Sequence, residues 1–484
     1  MTPLRNKVIS GIFWTLSQQL SVKAINFFAQ IILARILLPQ AFGLIAMLEI
    51  FISIGNALMD SGMASSLIRT SDIDARDYST VFLINLLSSI LIYAILYSTA
   101  PLISSFYNMP LLTSVVRVYG ISFILNALVS VQNARLTKNM QFRLQMFIEL
   151  PAIIAGGSTG IIMAYYGFGV WSLVWMNLTY SFVFMVQHWF RTDWRPVFLI
   201  DLDRLKRHFN FGYKLTFIGM ANAVYDNLYN IVIGKYFTAT QLGFYNRAVS
   251  FQYFPAKNIG AAIQKVTYST FSAIQHDNIK LRSAYKKIMQ QALFWIAPLM
   301  ITLCIVATPL FRLVLTEKWL PAVPYFRILT VAGILYPMNQ YNLNIIWVKG
   351  RSDLLLKLNM WEKVILTIII IATVQFGITA MVIGKSVYSV IALFINSHYS
   401  GKFIKYSLLA QLRDISPVLL LSITVGAICW FINNLLINMN DWSHISLISI
   451  LSLGLYFGLS HFLKLSPYLY IKQTILQHFT SPKL

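Results

Sequence analysis

Apolar residues in this chain gather into long blocks instead of alternating with polar ones. Fourteen blocks, each of roughly 18 to 27 residues, are long enough to cross about 30 Å of hydrocarbon as helices. Their centres fall near Leu20, Asn56, Ile90, Phe123, Gly157, Tyr180, Met220, Gln252, Met300, Leu335, Ile368, Val390, Thr424 and Leu453. The pattern predicts an all-α polytopic membrane protein of about 14 transmembrane helices, since in lipid each segment must satisfy its own backbone.

The blocks also repeat. The stretch Arg204 to Phe254 follows the stretch Leu4 to Ile54 at a constant offset: Lys7 answers Arg207, Asn26 answers Asp226, Gln30 answers Asn230, Arg35 answers Lys235 and Gly43 answers Gly243. Six helices, an even number, separate the copies, so the pattern predicts two six-helix lobes of one orientation, related by an axis along the membrane normal. The expected division is an N-terminal lobe over 1–190, a linker over 191–207, a C-terminal lobe over 208–401, and helices 13 and 14 with a tail over 402–484. The linker interleaves Trp194, Phe198, Leu199, Ile200 and Leu205 with charges, as an interfacial helix would.

Composition excludes a soluble globule: 57% of residues are hydrophobic, 11% are charged and mean hydropathy is +0.66, whereas about 25% charged is usual in globular domains. A net charge of +22 invites a nucleic-acid reading, but its placement argues otherwise. With the N-terminus in the cytoplasm, fourteen spans leave only Arg35, Lys235, Arg312 and Lys318 outside, and put Arg5, Lys7, Arg69, Arg135, Lys138, Arg191, Arg204, Lys265, Lys280, Lys402 and Lys483 among many inside. This is the positive-inside asymmetry, and no nucleic acid is needed to explain the charge. The first apolar run lacks a small-residue cleavage site and carries Lys23, so it is expected to be retained. Cys304 and Cys429 each lie in an apolar run and make no disulfide framework.

The runs Ile32 to Gly43, Gly167 to Val174, Phe209-Asn210-Phe211-Gly212, Ile233-Gly234-Lys235, Leu242 to Ala248 and Glu317 to Ala322 resemble those of the polysaccharide transporter family. Its Wzx-type flippases belong to the multidrug/oligosaccharidyl-lipid/polysaccharide exporter superfamily, and the likeness is greatest to the colanic-acid branch. The resemblance implies a V-shaped, MATE-like bundle in the bacterial inner membrane, and the charge asymmetry with an even number of spans puts both termini in the cytoplasm. The resemblance also implies an undecaprenyl-diphosphate-linked oligosaccharide as cargo, membrane lipids as surroundings, a proton or Na⁺ as coupling ion, and a polysaccharide polymerase and glycosyltransferases as partners.

The residues themselves supply a polar path. Gln19, Lys23, Asn26 and Gln30 share one helical face, as do Glu49, Ser53, Asn56 and Asp60 in the second run and Ser122, Asn126, Ser130 and Asn133 in the fourth. Asn222, Asp226 and Asn230 form a stripe in the seventh run, and Arg247, Ser250 and Lys257 in the eighth. Interhelical hydrogen bonds of about 0.6 kcal/mol each are the bland reading of such stripes. Embedded charge argues for more, because each ionised group near the midplane costs about 2.5 to 3.5 kcal/mol on insertion scales.

Cations prevail among the embedded charges. Lys23, Arg117, Lys214, Arg247, Lys257, Arg327 and Lys363 are therefore candidate ligands for a lipid diphosphate, with Lys385 also embedded. Tyr225 and Tyr229 are candidates to stack on sugar rings. Asp226, Asp60 and Glu149 are candidates for coupling-ion exchange, and Glu362 is an approximate repeat partner of Glu149. The histidines, His188, His208, His276, His398 and His478 among them, have no metal-ligand spacing and read as interfacial or solvated rings. No metal, cofactor or catalytic constellation is expected, so the chain reads as a transporter and not an enzyme. An ion-coupled drug exporter of the same superfamily would carry a lumen dominated by acids. A membrane-embedded polysaccharide polymerase would need a sizeable external loop.

Overall fold

The computed structural model describes residues 2–436 and 439–480. Lys483 and the side chains of Arg5, Lys7, Lys265 and His478 lie outside the description. The described elements are all helical. In chain order they are α1 (Thr2–Ile36), α2 (Pro39–Asp60), α3 (Met63–Arg69), α4 (Ala75–Tyr107), α5 (Leu111–Tyr119), α6 (Ile121–Lys138), α7 (Phe142–Tyr165), α8 (Val170–Arg191), α9 (Leu202–Asp226) and α10 (Leu228–Tyr236). There follow α11 (Ala239–Ala273), α12 (Asn278–Ile305), α13 (Ala307–Leu315), a 3₁₀ turn over Glu317–Ala322, α14 (Val323–Val348), α15 (Ser352–Val374), α16 (Ile378–Ile404), α17 (Leu408–Leu435), α18 (Asp441–Phe462) and α19 (Ser466–Thr480).

Local chemistry sets the helix starts. Pro39 occupies the first turn of α2, where its missing N–H costs nothing. Asp74 and Asp77 close a reciprocal capping box at the head of α4. Asp201 caps α9 and Asp277 caps α12 through backbone amides, chiefly those of Arg204 and Lys280, which hold both carboxyls below the usual carboxylate range.

Every predicted block centre lies in a helix. Nine of the described spans are long and apolar enough to cross a membrane: α2, α4, α5 with α6, α7, α12, the 3₁₀ turn with α14, α16, α17 and α18. The other block centres lie in α1, α8, α9, α11 and α15, whose charged or polar residues lower their hydropathy.

Three features depart from the expectation. The linker is not an interfacial helix: residues 192–201 are non-helical, because Pro196 disfavours helix before it and the chain finds partners elsewhere. The Val197 amide donates to the Ser79 hydroxyl at 3.0 Å and the Asp201 amide to the Thr80 hydroxyl at 3.2 Å. The seventh block is interrupted at Asn227, so the stripe through Asp226 and Asn230 spans two helices. The segment after α18 forms a further helix, α19.

By its internal contacts the chain divides into two compact units, Met1–Gly243 and Phe244–Leu484. In the first, α7 packs on α8 and α1, α4 on α6, and α2 on α9. The repeat-related glycines meet there: a Cβ on Gly43 would lie 1.7 Å from the Ala239 carbonyl oxygen, and one on Gly243 would lie 2.1 Å from that of Pro39. In lipid, where apolar side chains gain nothing by leaving the hydrocarbon, such close backbone approach is what holds helices together. In the second unit α14 packs on α16 and α12 on α17, with α17 against α18. Their shared core holds Tyr285, Leu293, Phe294, Tyr341, Ile415 and Tyr456.

Candidate functional site

Helix breaks decide where two of the candidate cations go. Pro101 has no N–H, so the Tyr97 carbonyl one turn before it loses its intrahelical donor. Nε of Arg117 donates to that carbonyl at 3.3 Å, and the guanidinium lies 4.3 Å from the centre of the Tyr97 ring. In the second unit α12 ends at Ile305 and α13, with Pro309, follows after Val306. There Nε of Arg327 donates to the Cys304 carbonyl at 3.3 Å and Nη2 to the Thr308 hydroxyl at 3.1 Å. Both arginines stand in the fourth block of their repeat and both carbonyls in the third. The device is duplicated, and no hydropathy pattern announces it.

The other cations divide by exposure. Arg247 is 8% exposed and lies 5.2 Å from the centre of the Trp319 ring. Lys385 donates to the Tyr245 hydroxyl at 2.6 Å. Lys214 and Lys257 are exposed, 5.8 and 5.2 Å from the rings of Tyr213 and Tyr253 on their own helices. Lys23 is exposed and Lys363 half-buried. Tyr225 is half-buried and Tyr229 buried, so the structure gives Tyr229 little surface to offer a sugar.

The acids sit in neutral hydrogen-bonding surroundings. Gln18 donates its amide to Glu149, with Tyr180 beside that carboxylate. In the second unit Asn396 Nδ2 donates to Glu362 at 2.8 Å and the Tyr388 hydroxyl to its other oxygen at 3.3 Å. Glu149 on α7 and Glu362 on α15 thus each have a tyrosine neighbour on the next helix, α8 or α16, whereas their amide neighbours come from non-corresponding helices, Gln18 from α1 and Asn396 from α16. Amides and hydroxyls, unlike a cation, serve a carboxyl in either protonation state. Glu49 accepts from Asn230 at 3.0 Å. Asp60 accepts the Ala64 amide at 3.4 Å and so tethers the turn into α3. Asp226 is exposed at the end of α9 and makes no ion pair among the described residues, Lys214 included. Arg247 lies in the other compact unit.

A polar centre that the block pattern does not single out lies at the linker. Asp77, 1% exposed, accepts from Arg204 and Arg207 and from Nε2 of His208 at 3.0 Å. Arg204 also reaches Asp74 and Asp201, and His208 Nδ1 lies 2.8 Å from the Ser66 hydroxyl. Trp194 packs edge-on against Phe82 and Tyr78, under the Arg135 guanidinium. The reading of the histidines as solvated is therefore corrected for two: His208 and His188 are both 0% exposed, His188 Nδ1 lying 2.9 Å from the Phe184 carbonyl. The signal available in sequence was Arg204, Arg207 and His208 on one face of α9, together with the D-x-x-D capping pattern of Asp74 and Asp77 at the head of α4. Among the described residues no three His, Cys, Asp or Glu side chains gather where a metal ion could sit.

A family model described as polysaccharide biosynthesis protein matches residues 32–324. Teichuronic acid biosynthesis protein TuaB of Bacillus subtilis (strain 168) is 24% identical over 433 residues, which cover 89% of this chain and 90% of that protein. Lipopolysaccharide biosynthesis protein WzxC of Escherichia coli (strain K12) is 25% identical over 361 residues, 74% of this chain and 73% of that one. Among solved structures, the lipid II flippase MurJ in an inward closed conformation superposes with a TM-score of 0.75 at 13% identity, covering 94% of this chain and 99% of that chain. An inward-facing multidrug resistance MATE family transporter of the MOP superfamily superposes at 0.61 with 16% identity, covering 79% and 94%. These superpositions show a shared helical fold.

Proposed function

The chain belongs to the polysaccharide biosynthesis protein family, and from that premise we propose that it is a flippase. It moves lipid-diphosphate-linked oligosaccharide units across the membrane for surface polysaccharide synthesis, by alternating access between two six-helix lobes. Transport, not bond chemistry, is the function. The observation that carries this reading is the excess of cations on polar helical faces of a membrane bundle, Lys23, Lys214, Arg247, Lys257 and Lys363. Arg and Lys match a diphosphate well, and a cationic drug poorly. A drug exporter is the second reading, favoured by the MATE-like fold alone.

The deciding experiment reconstitutes the chain in proteoliposomes with a fluorescent lipid-diphosphate-linked oligosaccharide. Lys257→Glu and Lys363→Glu are expected to slow flipping at least about tenfold, equal to about 1.4 kcal/mol, at unchanged protein yield. Flipping at the wild-type rate in both variants would refute the cationic path. No acceleration by the wild-type chain would refute the flippase itself.

Coupling to a proton or Na⁺ belongs to the same proposal. Neutral donors around Glu149 and Glu362 support these acids as exchange groups, beside Asp226 and Asp60. Asp226→Asn responding fully to an imposed pH or Na⁺ gradient would remove that residue from the set. For the inner membrane with cytoplasmic termini, reporter fusions after Met109 and Met439 are expected to read outside, and those after Met140 and Lys280 inside. An inside signal at Met439 would remove spans thirteen and fourteen as drawn.

A further inference from the structure

Arg117 stands in a groove that neither the polar stripes nor the linker cluster uses. The groove has a volume of ≈ 370 Å³, lies between α4 and α5, and is lined among others by Tyr93, Tyr97, Thr113, Ser114 and Arg117. Through Pro110 and Thr113 it adjoins a second hollow of ≈ 380 Å³ bounded by Ser105 and Asn108. The guanidinium is held twice, by the Tyr97 carbonyl that Pro101 orphans and by the Tyr97 ring face. Both contacts engage Nε or the guanidinium plane. The two Nη nitrogens have no acceptor among the described residues, and no carboxylate of those residues pairs with Arg117.

An arginine merely tolerated in a membrane segment pairs or snorkels without a fixed orientation. This one is oriented, unpaired and surrounded by hydroxyls. It lies six residues into α5, about 9 Å of helical rise from the start of that helix. Only residues 108–110 join α5 to α4, so the helix start lies at an edge of the bundle. A long side chain at that depth reaches the headgroup layer.

We propose that the α4–α5 groove binds the phosphate of a lipid headgroup. The two Nη groups of Arg117 grip two phosphate oxygens side by side, the geometry in which a guanidinium exceeds an ammonium. Tyr93 and Thr113 supply hydroxyl donors, Ser114 already donating to the Leu111 carbonyl at 3.0 Å, and Val118 and Ile121 wall the first part of the lipid tail. Arg327, its counterpart in the second unit, spends Nη2 on Thr308, which leaves no open fork there. The proposal holds whatever cargo the chain carries. The phosphate can come from a resident phospholipid or from a lipid diphosphate in passage.

The test uses the full-length chain in micelles doped with phosphatidylglycerol or with a short-chain polyprenyl diphosphate, and counts retained lipids by native mass spectrometry. Arg117→Gln is expected to weaken retention of one lipid at least tenfold. Ser114→Phe, which fills the groove and leaves Arg117 with its Tyr97 contacts, is expected to lose the same lipid at an unchanged melting temperature. Loss confined to phosphatidylglycerol identifies a resident phospholipid, and loss confined to the diphosphate identifies a cargo lipid. Either supports the site. Equal retention by wild type, Arg117→Gln and Ser114→Phe overturns it, and if Arg117→Gln does not accumulate, Ser114→Phe decides.

Discussion

Gly43→Val is expected to leave little folded protein in the membrane, with a loss of stability of about 3 kcal/mol or more. A Cβ at this position would stand 1.7 Å from the Ala239 carbonyl oxygen, inside any possible contact distance, and the obstacle is backbone that no rotamer change can move. The head of α11 would have to withdraw from the head of α2, and the reciprocal contact of Gly243 with Pro39 would open with it. Gly243→Val should therefore act alike, and the double variant should cost less than the sum of the two, because one separation relieves both clashes. Gly454→Ala is the control, since nothing lies within 4 Å of a Cβ there. Membrane yield and thermal unfolding in detergent read the effect. Wild-type melting of Gly43→Val would show that α2 and α11 do not approach as described.

Asp77→Ala is expected to be the most damaging single charge deletion, at about 2 to 3 kcal/mol. It strands the Arg207 guanidinium, takes the carboxylate from His208 and opens the capping box at α4. Removing one partner of a fully buried pair costs more, about 3 to 5 kcal/mol. Here the arginines are 26% and 47% exposed, so water recovers part of that loss. Arg207→Gln removes the more exposed partner and should cost under about 1 kcal/mol. Hydrogen exchange adds a local reading: in Asp77→Ala the amides of Val197 and Asp201 should lose protection, since Ser79 and Thr80 hold them from the turn that follows Asp77. Unchanged melting together with unchanged protection of 197–201 would mean that the linker docks without the carboxylate.

Much of this molecule is legible in its sequence. A helix in lipid must satisfy its backbone within its own segment, so the apolar blocks are local information, and every predicted centre is helical. The repeat was legible for a related reason: Gly43 and Gly243 are required by the same close approach, and a missing side chain shows in the sequence wherever it is needed twice. The capping aspartates are local too, since a cap acts on amides two or three residues away, but the pattern of apolar blocks does not mark them.

Partnerships over long separations could not be read. Asp77 meets Arg207 across 130 residues, and Glu362 meets Asn396 across 34. The sequence shows Arg117 only as a cation in an apolar run. Its first engagement is with a carbonyl orphaned by a proline on the neighbouring helix. The linker looked like an interfacial helix because its aromatic and charged residues alternate suitably, yet Pro196 and the hydroxyls of α4 hold it extended. Hydropathy records how each residue stands toward lipid and water, which is a property of one segment at a time. Which side chain answers a buried charge or an unpaired carbonyl depends on which helix packs alongside, and that is settled by the fit of whole surfaces.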